Sequence, residues 1–154
     1  MLDRIDHVGI ACHDLAAKIA FYETVFDLSV VSRETNEEQG VREAMLRVSA
    51  GPAGASWIPL LEPLGPDTPV GKFLARRGEG IHHIGYGVTN ITAALEAIGA
   101  RGVRLLDQRP RHGSMGASRT QSSASMGKVT RRRLLITSTM PEARRTWTRP
   151  QWPE

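Results

Sequence analysis

His7 and His83 are the residues of this chain whose type and spacing point most directly to chemistry. They stand in two similar runs, Asp6-His7-Val8-Gly9-Ile10-Ala11 and His82-His83-Ile84-Gly85-Tyr86-Gly87, and are separated by 76 residues. Asp14 and Asn90, each placed to cap a following helix, keep the same offset. A spacing held over a strand and the next helix start marks one duplicated supersecondary unit. Period two then separates the faces of each strand. Val8, Ile10 and Cys12 form a core face, while His7, Gly9 and Ala11 point the other way, as do His83, Gly85 and Gly87. Each copy sets an imidazole beside residues too small to block the space in front of it. One strand histidine is ordinarily a satisfied structural residue. Two at equivalent points of a repeat suggest joint ligation of a metal ion.

The elements that must position these rings are legible in order. Asp14 caps a helix carrying Leu15, Ile19, Tyr22 and Phe26, which is predicted to run to about Val25. Leu28–Val31 reads as a strand, and the polar stretch Glu34–Gly40 as a loop. Val41–Ser49 alternates, with Ala44, Leu46 and Val48 on one face and Glu43, Met45 and Arg47 on the other. A turn at Gly51-Pro52-Ala53-Gly54 and a strand from Trp57 to Leu61 complete a βαβββ unit. Pro63–Pro69 is a linker and Val70–Arg77 a short helix. A second unit opens with a strand over Ile81–Val88. Asn90 caps a helix bearing Ile91, Leu95 and Ile98, and Val103–Leu106 is the next strand, with Gly99 and Gly102 bracketing the turn. Beyond Gly116 the pattern fails. Ser118–Ser125 is polar and serine-rich, Leu134–Thr137 suits one short strand, and Pro141–Glu154 reads as disordered.

Composition bounds the class. The chain of 154 residues suits one domain with one sizeable core. It carries no apolar run long enough to cross a bilayer. Its start, Met1-Leu2-Asp3-Arg4, lacks the features of a signal peptide, so a cytoplasmic location is expected. The single cysteine, Cys12, excludes an internal disulfide and reads as an inert packing residue. The net charge of +4 is unevenly spread. Residues 118–154 hold eight Lys and Arg against two Asp and Glu, whereas residues 1–117 hold 12 against 14. The basic character thus belongs to the tail. A solvated tail is the expectation there, and nucleic acid is not an expected partner.

Four stretches carry a family resemblance: DHVGIACHDLAAKIAFYETVFDL, ETNEEQGVREAML, LLEPLGPDTPVGKFLARRGEGIHHI and ARGVRLLDQRPRHGSMG. Together they resemble methylmalonyl-CoA epimerases, members of the vicinal-oxygen-chelate (glyoxalase, bleomycin resistance, dioxygenase) superfamily, over about residues 3–117. The resemblance implies an α+β fold of paired βαβββ modules around a divalent metal ion, with cobalt or manganese suited to the site. Module one would occupy residues 1–62, the linker and short helix 63–80, and the start of module two 81–117. The second module is expected to be incomplete, ahead of a divergent basic tail at 118–154.

The implied activity is that of an isomerase in propionate metabolism. A proton is taken from the carbon between a thioester and a carboxylate, then returned on the opposite face. Such chemistry needs stabilisation of the developing negative charge and an acid/base group on each side. By the resemblance His7 and His83 are metal ligands, Glu43 is one acid/base carboxylate, and an acyl-CoA is the substrate. A homodimer is the implied assembly, and no membrane partner is expected.

Two departures stand out. Pro59 occupies the place of a glutamine ligand, and proline offers neither a side-chain donor nor an acceptor. Leu60 and Leu61 do not replace it, and Glu62 faces away. The family's last strand would supply a glutamate as further ligand and second base. Beyond Gly116 no matching strand is apparent, and the jump in Arg and Ser reads as a shifted reading frame. The alternatives are a metal-free small-molecule binding module on the same fold, a glyoxalase-type or ring-cleaving enzyme, and a nucleic-acid binder acting through the tail.

Overall fold

The computed structural model describes residues 2–48, 56–105, 111–112, 118–123 and 133–138. Module one consists of β1 (Arg4–Ala11), α1 (Leu15–Phe26), β2 (Ser29–Asn36), β3 (Val41–Arg47) and β4 (Trp57–Pro63). Helix α2 (Pro69–Arg77) connects it to module two. That module comprises β5 (Gly80–Gly87), α3 (Ile91–Gly99), β6 (Arg104–Leu105), β7 (Arg111–His112), β8 (Ser118–Ser123) and β9 (Arg133–Ser138).

Side-chain caps start the helices where the sequence predicts. Asp14 Oδ1 accepts from the Ala17 N–H at 2.9 Å, and Asn90 Oδ1 from the Ala93 N–H at 3.0 Å. Each such cap is worth about 1 kcal/mol because it satisfies a donor the helix leaves open. Thr68 caps α2 in the same manner, with Pro69 in the first turn.

All the strands join one sheet in the order β2-β3-β4-β1-β5-β9-β8-β6, with β7 also paired to β8. The two modules meet where β1 and β5 run antiparallel. Outward from that seam the halves match. β4 lies parallel to β1, and β9 lies parallel to β5. The α+β architecture of paired modules is therefore present.

Both faces of module one are packed. Cys12, Ile19, Ala44, Leu46 and Leu60 form a core beneath α1. Ala11, Val41, Leu61, Val70 and Leu74 form a second core, with α2 as its cover. Val88, Ile91, Ala94 and Ile98 form the core of module two.

Four readings of the sequence need correction. β2 extends through Asn36 into the stretch taken for a loop, and only the turn that follows is non-strand; there Asn36 Oδ1 accepts the Gln39 N–H at 2.9 Å. Val48, assigned to the core face, is 45% exposed because β3 ends at Arg47. The polar run Ser118–Ser123 is a strand, hydrogen-bonded to β6 on one side and β9 on the other. Backbone pairing holds such a strand in place even where its side chains give no apolar alternation. β9 includes the predicted Leu134–Thr137 strand and fills the position in module two that β4 fills in module one, so a matching last strand does exist beyond Gly116. The turn at Gly51–Gly54 and the end from Pro141 to Glu154 lie outside the described residues.

Candidate functional site

His7 and His83 arrive at one place because their strands are neighbours. In the β1–β5 ladder His7 stands opposite Gly85, and Gly9 opposite His83. Each imidazole therefore lies over the other strand's glycine. A Cβ on Gly9 would overlap the His83 ring, and a Cβ on Gly85 would overlap the His7 ring. The small residues noted in the sequence are the floor on which the opposite histidine rests. The two Nε2 atoms are 3.1 Å apart, and both side chains are buried. Two nitrogens each about 2.1 Å from one ion and at a right angle would lie about 3 Å apart. The pair thus has the span of two ligands to a single cation.

Glu43 is on the same face. Register places it opposite Leu61, with Met45 opposite Pro59. β4 in turn matches His7 to Trp57 and Ala11 to Leu61, which sets Pro59 level with Gly9. Glu43 is 5% exposed, so it is buried on this face rather than solvated. Pro59 is buried on this face at the position where the family resemblance requires an amide oxygen. Glu62 faces away, as alternation predicts, and forms an ion pair with Arg42 at 3.4 Å. Among the described residues no three His, Cys, Asp or Glu side chains gather into a metal-binding group. The donors brought together are the two imidazoles.

Two neighbours escaped the alternation. The β1–β5 ladder slips by one residue between Ile5 and His7, and again between Gly9 and Ile10. The extra residues are Asp6 on β1 and His82 on β5, each immediately before a site histidine. A bulge re-aims the side chain it carries. Asp6 Oδ2 lies 3.1 Å from His7 Nδ1, and Asp6 Oδ1 accepts from Arg4 at 2.8 Å. Burial alone would raise the Asp6 carboxyl, but the hydrogen bonds from His7 and Arg4 prevail and hold it below the usual carboxylate value. His82 Nδ1 lies 3.0 Å from His83 Nδ1, while its ring packs edge-on against Phe73 of α2. A strict period of two places both residues on the far face. The only hint in the sequence was the parallel placement of two polar residues just before the two histidines.

Cys12 behaves as expected. It is fully buried, and burial, followed by the charges of Glu79 and Glu62, pushes its thiol up to about 11, so it stays protonated.

Comparison with known proteins identifies the family. Residues 6–120 match the family model of the glyoxalase/bleomycin resistance protein/dioxygenase superfamily. The uncharacterized protein YqjC of Bacillus subtilis is 37% identical over 115 residues, covering 75% of this chain and 79% of that protein. Human mitochondrial methylmalonyl-CoA epimerase is 33% identical over 116 residues; 75% of this chain matches, and it spans 63% of the human protein's length. The structure of a Streptomyces coelicolor methylmalonyl-CoA epimerase variant in complex with 2-nitronate-propionyl-CoA superposes with a TM-score of 0.83 at 42% identity. That superposition covers 92% of this chain and all (100%) of the other. No described helix is long and apolar enough to cross a membrane.

Proposed function

The chain belongs to the glyoxalase/bleomycin resistance protein/dioxygenase superfamily and, within it, to the methylmalonyl-CoA epimerases, and from that membership we propose that it is an isomerase interconverting the two epimers of methylmalonyl-CoA. The observation that carries this reading is the approach of His7 and His83 to 3.1 Å on the face that also carries the buried Glu43.

Glu43 is the base. Its carboxylate takes the proton from the carbon between the thioester carbonyl and the substrate carboxylate, leaving a planar enolate. A divalent metal ion held by Nε2 of His7 and of His83 would supply electrostatic stabilisation of the negative charge that develops on oxygen. Met45, Pro59 and Leu61 are buried on the same face.

Inversion also needs a proton donor on the opposite side. β8 and β9, which take the places in module two that β3 and β4 take in module one, read Ser-Arg-Thr-Gln-Ser-Ser and Arg-Leu-Leu-Ile-Thr-Ser and contain no acid. With no acid supplied by those strands, exchange of the substrate proton should outrun inversion.

The test follows deuterium uptake into each epimer of methylmalonyl-CoA separately from racemisation, with excess divalent metal. Uptake should be faster than inversion, and Glu43→Gln should lower it by about 10²–10⁴-fold, the range of a general base. Uptake unaffected by that substitution would refute Glu43 as the base. Inversion as fast as uptake would show that an acid outside β8 and β9 serves the second face.

A further inference from the structure

We propose that Asp6 and His82, carried by two β-bulges of the duplicated seam, are positioning residues that decide which ring nitrogen of His7 and of His83 bears the proton. The ring-nitrogen assignment stands on the hydrogen-bond geometry of neutral imidazoles beside an ionised Asp6. Only the response to a cation rests on the reading of the histidine pair as a metal site.

The Asp6 carboxylate, which already accepts from Arg4, can only accept from His7, so the 3.1 Å hydrogen bond places the proton on His7 Nδ1. His7 Nε2 is then left with its lone pair toward His83. When both rings are neutral, as above the ordinary histidine range, the 3.1 Å approach of the two Nε2 atoms requires a donor between them, and His83 must provide it as an Nε2–H. A neutral His83 so protonated has a lone pair on Nδ1, which accepts from His82 Nδ1–H at 3.0 Å. One chain of donors thus runs from His82 through His83 and His7 to Asp6.

A cation between the rings reverses half of this chain. It needs the lone pairs of both Nε2 atoms. His7 already offers its own, held so by Asp6. His83 must move its proton to Nδ1, and His82 must then accept there and carry its own proton on Nε2. Both histidines of module two exchange tautomers. No proton is gained or lost by the protein, and no ring need turn. The two bulges are alike in backbone but not in chemistry, since the carboxylate locks one ligand while the imidazole lets the other follow the ion. Carboxylate and carbonyl groups behind a ligating histidine fix its tautomer and orientation in the same sense.

The experiment uses the full chain labelled with ¹⁵N in its imidazoles. Long-range proton–nitrogen spectra recorded above the ordinary histidine range, near pH 8, report each tautomer before and after addition of zinc ion, which is diamagnetic. The expected result has four parts. His7 is Nδ1–H throughout. His83 passes from Nε2–H to Nδ1–H on adding zinc. Asp6→Leu frees the His7 tautomer and weakens zinc binding by about 10–100-fold, while Asp6→Asn, which keeps an acceptor, recovers part of the loss. His82→Phe keeps the ring packing against Phe73 but weakens zinc binding, and His82→Asn, with an acceptor oxygen, restores it.

His7 found as Nε2–H in the unsubstituted protein overturns the proposal whatever the variants do. So does an Asp6→Leu protein that is folded and binds zinc normally. If that variant does not fold, the unsubstituted spectra decide. The stated tautomers in a protein without epimerase activity would support this proposal while removing the function proposed above.

Discussion

The two modules share a plan and differ in how much of it their sequences fill. Each opens with a strand that bulges one residue before its histidine, and each follows with a helix capped by Asp14 or Asn90. Away from the seam they diverge. In module one the outer strand β2 is eight residues long and pairs along the whole of β3. In module two the corresponding β6 is described over two residues, and its partner β8 is polar. Module one contributes the buried Glu43 on β3, while β8, the counterpart of β3, and its neighbour β9 carry no acid. A duplicated scaffold can thus keep its paired histidines while losing symmetry in the strands around them. The seam is defined by close packing of rings on glycines, which few substitutions satisfy. The outer strands are defined by backbone pairing, which tolerates many.

The strongest way to break the comparison is at the histidines. If the modules contribute equally, His7→Ala and His83→Ala should each remove cation binding to the limit of isothermal calorimetry, by about 100-fold or more, since each leaves one protein donor. A large inequality between them would mean that one module alone holds the ion. Next come the floors. Gly9→Ala and Gly85→Ala each place a methyl group inside the opposite ring, and overpacking of this kind costs about 1–3 kcal/mol. Denaturant melts should show both, with similar losses and with cation affinity reduced in parallel. A Gly85→Ala protein as stable as the parent would show that the His7 ring has room to move.

Much of this seam was legible in the sequence, and the reasons are local. The 76-residue offset, the caps and the small residues all follow from rules acting within a strand or one helical turn. The bulges at Asp6 and His82 were not legible, because a period of two assumes that no residue is left over in the ladder. Burial of Glu43 was also out of reach, since it depends on which strands lie beside β3. Strand β8 was hidden for a related reason. Its residues lack an apolar alternation, and its place is fixed by hydrogen bonds to distant neighbours.

Pro59→Gln sharpens the comparison within module one and should have an intermediate effect. Position 59 is level with Gly9 on the site face of an interior strand, where proline removes a ladder donor. Glutamine returns that hydrogen bond, worth about 1 kcal/mol, and adds an amide oxygen to the face. Thermal melts and cation titration should both rise, the latter by about tenfold. Inversion of methylmalonyl-CoA should stay slower than deuterium uptake, because the acid absent from β8 and β9 is not restored. Equal rates after this single change would place the deficiency in module one rather than module two.

The smallest effect is expected at the polar latch between the modules. Glu79, at the head of β5, accepts from Lys18 of α1 through Oε2 and from the His13 backbone N–H at 2.8 Å through Oε1. The hydrogen bond from Lys18, then that from His13, holds the Glu79 carboxyl below its ordinary value of 4.5, while the same contact raises Lys18 above 10.5. For Glu79 the folded protein favours the charged form. Its contribution is therefore present above pH 4.5 and is lost as the pH falls through the lower folded value. For Lys18 the contribution is present below pH 10.5 and is lost as the pH rises through the higher folded value. Between those limits the latch should be independent of pH. The side chains are 27% exposed for Lys18 and 36% for Glu79, so solvent screening keeps the ion pair to about 0.2–1 kcal/mol. Glu79→Gln should lower the denaturation midpoint slightly at neutral pH, less so in high salt. The two proteins should converge in stability at acid pH, where the parent carboxyl is protonated. The His7–His83 tautomers should not change, because the latch touches neither ring. A gap that persists at acid pH would assign the effect to packing of the Gly78-Glu79-Gly80 turn rather than to charge.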